Sequence, residues 1–148
     1  MKTRTKILIT VGLAIAYFWL TQKFAPTPAQ PALSAKQLQS WYSAYNETYF
    51  DNSLPKNVVI DYDQHDDQYM ATTMKWQNGT FHINFNRNYT GGERVALYTL
   101  LHESCHIKTW DSYNVFDGEH NKSWQDCMLR LDSHGAFRKI LIDNYEGN

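Results

Sequence analysis

Val95-Ala96-Leu97-Tyr98-Thr99-Leu100-Leu101-His102-Glu103-Ser104-Cys105-His106 decides how this chain is read, because an apolar helical run closes here in an H-E-x-x-H motif. On a helix, residues i and i+4 project from one face, so His102 and His106 can share a divalent metal while Glu103 between them reaches its bound water. Val95, Thr99, His102 and His106 follow i, i+4, i+7, i+11, so the ligand face continues a partly apolar stripe. That face is expected to look into the protein, which sets it apart from a solvated surface helix that carries His and Glu by chance. Just upstream, Thr90-Gly91-Gly92-Glu93 is a T-x-x-E capping box, predicted to start the helix with Thr90 as its cap.

Downstream, a hydrolytic zinc site needs a third protein ligand and an open fourth position for water. His120, in Gly118-Glu119-His120, is the candidate, brought back by a loop over residues 111–118. A helix from about Asn121 carries Trp124, Cys127, Met128 and Leu131 on one face. Ser133-His134-Gly135 then breaks it before a last helix over residues 137–144. Cys105 and Cys127 are the only cysteines, too few for a disulfide framework or a four-Cys ribbon. They are read as two small buried core residues in preference to a disulfide pair or metal ligands, since free Cys is among the most buried residue types.

Upstream of the motif, Ser34-Ala35-Lys36-Gln37 is a second capping box, and Leu38, Trp41, Tyr42, Tyr45 and Tyr49 recur at helical spacing, predicting a helix of about four turns with an aromatic buried face. Residues 58–62 read as a short strand. Residues 69–76 and 80–86 read as two more, joined across Gln77-Asn78-Gly79, where Asn-Gly is a strong hairpin signal. Alternation in the last strand buries Phe81, Ile83 and Phe85 and turns His82 the other way. The acidic stretch 61–67, with His65, is read as a solvated loop rather than a cation site. The expected fold is a small α+β domain, with helices packed on a three-stranded, mainly antiparallel sheet.

The N-terminus carries an address. Residues 1–23 hold Lys2, Arg4, Lys6 and Lys23 and no acid, and residues 7–22 between the last two lysines are uncharged. This hydrophobic helix is expected to be an uncleaved membrane anchor, with a cleaved signal peptide as the alternative. Three charges before it and one after it place the rest of the chain outside the cytoplasm, anchored, or secreted if the segment is removed. Residues 24–33, with Pro26, Pro28 and Pro31, form a linker, and residues 34–148 form the domain. Residues 24–148 carry 10 basic and 15 acidic side chains, so the body lacks the basic footprint of a nucleic-acid binder.

Taken together, residues 38–141 resemble the SprT-like metallopeptidase domain, the family of the SprT and Spartan proteases. The likeness rests on Leu100-Leu101-His102-Glu103-Ser104-Cys105-His106, on the helix ending in Tyr49-Phe50 and Leu54-Pro55, and on residues 79–86 as the strand before the metal helix. It rests also on Gly118-Glu119-His120-Asn121-Lys122-Ser123-Trp124, where an aromatic follows the histidine by four residues. The resemblance implies a zincin-like fold, a zinc ion held by His102, His106 and His120, Glu103 as general base, and a protein or peptide substrate. His134 imitates the third-ligand segment but suits a helix-ending turn better. Tyr113 and His134 are candidate oxyanion donors, and Asp111 and Asp117 could orient the imidazoles. The alternatives to a peptidase are a zinc-bearing interaction module without useful turnover and a hydrolase of a non-protein amide such as a cell-wall peptide.

Overall fold

A computed structural model describes residues 31–63, 69–88, 92–112 and 119–142. The expected N-terminal hydrophobic helix and most of the linker, at residues 1–30, lie outside the described residues, as do His65, Thr90, Tyr113 and Asp117. Among the described residues no helix is long and apolar enough to cross a membrane.

Helix α1 (Ala35–Tyr49) begins as its sequence dictates. The Ser34 side chain accepts from the Gln37 backbone N–H while the Gln37 side chain accepts from the Ser34 N–H at 2.9 Å, which satisfies donors that the first turn leaves free. Leu38, Tyr42, Tyr45 and Tyr49 are buried as the spacing requires, but Trp41 sits at the edge of the stripe and stays exposed, leaning on Tyr45. Buried Asn46 closes the turn after the helix: its amide donates to the Leu54 carbonyl and its oxygen accepts from the Leu54 N–H. A buried amide needs such partners.

Strands β1 (Val59–Asp63), β2 (Ala71–Lys75) and β3 (Phe81–Asn86) form one sheet in the order β1-β3-β2. The hairpin joining β2 to β3 turns at Gly79, whose φ of +83° suits glycine, and Trp76 and Thr80 close it. β2 pairs antiparallel with β3, placing Ala71 against Phe85, Thr73 against Ile83 and Lys75 against Phe81. β1 pairs with β3 in parallel, Ile60 against Ile83. The sheet is therefore mixed rather than mainly antiparallel. The hairpin returns the chain into the centre of the sheet instead of its rim, so the middle strand runs with β1 and against β2.

Helix α2 (Glu93–Lys108) packs against β2 and is buried along most of its second half, with Leu100, Leu101, Ser104 and Cys105 at 0% exposure. Its cap differs from the expected box: Gly92 is the N-cap and makes no side-chain cap bond, so Glu93 occupies the first turn rather than the third position. A short 3-10 turn (Trp110–Ser112) follows, then α3 (Lys122–Ser133) and α4 (Ala136–Ile142). The core joins Leu38 and Tyr42 of α1, Ile60, Ile83 and Phe85 of the sheet, and Leu100 and Leu101 of α2.

One expectation about the core is overturned. Cys105 and Cys127 are joined as a disulfide that ties α2 to α3, with Cα atoms 5.9 Å apart. Each cysteine taken singly reads as an apolar filler; their pairing depends on α3 packing against α2, which neither local pattern contains.

Candidate metal centre

The site is assembled from three elements. Helix α2 contributes His102, Glu103 and His106, the segment before α3 contributes His120, and β2 supplies Thr73 from the sheet edge. His120 is carried by the start of α3, where the Asn121 side chain caps the helix by accepting from the Trp124 N–H at 3.1 Å. The same side chain donates to the Ser112 carbonyl at 2.8 Å, and Gln125 donates to the His120 carbonyl at 2.9 Å. These contacts fix the His120 segment against the end of the 3-10 turn that follows α2.

The three imidazoles converge. His102 Nε2 lies 3.3 Å from His106 Nε2 and 3.1 Å from His120 Nε2, and among the described residues these three form the group whose ligand atoms all lie within 4.8 Å of one another. A tetrahedral zinc with nitrogens at 2.0–2.1 Å would hold those nitrogens about 3.3 Å apart. The donor set and its spacing therefore fit a divalent ion such as zinc. Burial, and then the proximity of the neighbouring imidazoles, holds His102 down to about 4, and burial followed by His120 does the same for His106. At neutral pH both rings are uncharged and their lone pairs are available.

Trp124 braces the cluster. Its ring centroid lies 4.7, 5.5 and 4.2 Å from those of His102, His106 and His120, and its indole N–H donates to the His102 carbonyl at 3.4 Å. One indole thus packs on all three rings, limiting their rotation and excluding water from one side.

Glu103 is 5% exposed, with Oε1 4.0 Å from His102 Nε2 and Oε2 accepting a 2.7 Å hydrogen bond from the Thr73 hydroxyl. Burial pushes its carboxyl up to about 7, opposed by the Thr73 bond and reinforced by the nearby Glu119 carboxylate. A carboxylate poised near neutrality is suited to accepting and returning a proton. Together these groups line a cleft of about 370 Å³, whose other walls include Tyr69, Ala71, Thr72 and Trp110. A larger apolar hollow of about 870 Å³, lined by Met70, Tyr98, Trp124, Met128 and Phe137 among others, contains none of the three imidazoles.

The remaining candidates separate cleanly. His134 caps the C-terminus of α3 and its Nδ1 lies 2.8 Å from the Arg130 carbonyl, so it ends a helix as its spacing suggests and does not line the cleft. Asp111 is exposed and faces Lys75 at 4.0 Å. His82 stacks on Trp76, outside the cleft. Thr73 is the residue that sequence reasoning missed. The visible signal is a hydroxyl in the row Ala71-Thr73-Lys75, opposite the buried Phe85, Ile83 and Phe81.

Two imidazoles from α2 and one from the segment before α3, beside a buried carboxylate, form a group that could hold a metal ion. The SprT-like family model matches residues 38–146, and the chain belongs to that zinc-metallopeptidase-like family. No curated protein matches the chain.

Proposed function

We propose that this protein is a zinc-dependent endopeptidase in which His102, His106 and His120 hold the ion and Glu103 is the general base. The observation that carries the reading is the convergence of three imidazole nitrogens, 3.1 and 3.3 Å apart about His102, with a buried carboxylate alongside. When bound, zinc supplies Lewis acidity, drawing the pKa of water toward about 7 and polarising an amide carbonyl. Glu103 takes the proton from the attacking water and returns it to the departing amine. The cleft keeps that carboxylate out of bulk solvent, and Trp124 keeps the imidazoles in register.

The same reading places the domain, residues 34–148, outside the cytoplasm on an anchor formed by residues 1–23. The charge asymmetry of that segment supports it, and so does the disulfide between Cys105 and Cys127, since such bonds persist in oxidising compartments. Protease accessibility in intact cells against lysates tests the address.

The function is tested on the full chain purified in detergent. The expected result is about one zinc per chain, with cleavage of an unfolded protein that disappears in Glu103→Gln while the metal stays bound. Metal binding without cleavage of any protein substrate would overturn the peptidase reading.

A further inference from the structure

We propose that Thr73 is the positioning residue of the Glu103 base: its hydroxyl anchors Oε2, so that Oε1 is the oxygen that exchanges protons with the reacting water. The assignment rests on the hydrolase reading for its catalytic half and on geometry for its anchoring half. Thr73 lies on the edge strand β2, in register with Ile83, which is fully buried. Paired residues of an antiparallel ladder share a face, so Thr73 points with Ile83 toward α2. At that position an apolar β-branched residue would suit both the strand and the core. The chain instead carries a hydroxyl, and that hydroxyl meets the catalytic carboxylate at 2.7 Å.

A threonine hydroxyl has one proton to give. Its distance to the Glu103 backbone carbonyl is 3.4 Å, against 2.7 Å to Oε2, so the shorter contact receives it. With Oε2 engaged, the carboxylate cannot spin about its last torsion without losing that bond, and Oε1 is left on the side of His102, 4.0 Å from Nε2. The two oxygens thereby acquire different duties, one held and one free. Because β2 also walls the cleft through Ala71 and Thr72, the strand fixes the base and the site's edge as one rigid piece.

Thr73→Val removes the hydroxyl while keeping shape and β-branching, and Thr73→Ser keeps the hydroxyl while dropping the methyl. On the zinc-loaded full chain in detergent, Thr73→Val is expected to lower kcat by roughly ten- to a hundredfold, the loss that follows from giving up one hydrogen bond to a charged group. KM and zinc content should stay at wild-type values, and Thr73→Ser should recover most of the lost kcat. Wild-type kcat in Thr73→Val would overturn the assignment, as would a loss confined to KM or to zinc content.

The anchor is read separately, without turnover, from a double-mutant cycle on thermal unfolding. The Tm change caused by Thr73→Val should differ between the wild-type and Glu103→Ala backgrounds; equal changes in both would show that the two side chains are uncoupled and overturn the anchor. An inactive wild-type protein would instead bring down the hydrolase reading, so the two failures are distinguishable.

Discussion

Replacing both Cys105 and Cys127 with alanine should cost this domain a large part of its stability, and should loosen the metal centre in particular. The bridge spans 22 residues of sequence, and closing a loop of that length removes about 3 kcal/mol of unfolded-chain entropy at 25 °C. Against a typical total of about 5–15 kcal/mol, that is a substantial fraction. The family match spans residues 38–146. A domain of roughly 110 residues unfolds with an entropy near 0.23 kcal/mol/K, so the loss corresponds to about 13 °C in Tm. The position of the bridge adds a second consequence. It joins α2, which carries His102 and His106, to α3, whose first turn is preceded by His120. Without it the third imidazole keeps its ties to Asn121, Trp124 and Gln125 but loses the covalent link between its helix and α2, so zinc affinity should fall as well. Differential scanning calorimetry of the metal-free double variant reads the first effect, and competition with a zinc-binding dye reads the second. A Tm within 3 °C or so of wild type under oxidising conditions would refute the loop-entropy argument, for which the expected drop is several times larger.

Other outcomes follow from the same geometry. His120→Ala should abolish stoichiometric zinc binding, whereas His134→Ala, at a helix terminus away from the cleft, should leave it intact; metal analysis after dialysis distinguishes them. The metal-free protein should become less stable as pH falls from about 6.5 to 4.5. Unfolded imidazoles take up protons near 6.5, whereas His102 and His106 resist until about 4, so their contribution is present above 6.5 and lost as pH falls through 4. Glu103, raised to about 7, runs the other way: its contribution is present below about 4.5 and lost as pH rises through 7. Two imidazoles outweigh one carboxylate within that window, so Tm of the chelator-treated protein should drop on acidification, and a flat or rising Tm would contradict these shifts.

Features fixed by neighbours in sequence were legible before the structure. The Ser34 box, the Asn78-Gly79 turn, the alternation of Phe81, Ile83 and Phe85, and the Asn121 start of α3 each rest on contacts a few residues apart. His102, Glu103 and His106 were legible because a helix converts spacing into a shared face. What escaped is what depends on packing between distant segments. The parallel β1–β3 pairing requires knowing which strand takes the centre of the sheet. The Cys105–Cys127 bridge requires α3 to lie on α2, and Thr73 requires the sheet edge to meet Glu103. The cap of α2 escaped for a different reason, since a T-x-x-E pattern states where a box could form while the helix begins at Glu93 behind Gly92. His120 lies between these cases: the likeness of its segment to the family's third-ligand segment pointed to it, but only the fold brings its Nε2 within 3.1 Å of His102.

The most direct test is diffraction from zinc-loaded crystals at the zinc absorption edge. A single anomalous peak is predicted between the Nε2 atoms of His102, His106 and His120, at about 2.0–2.1 Å from each, with Glu103 beside it but unbound. A peak located elsewhere, or one that His120 does not reach, would contradict the account.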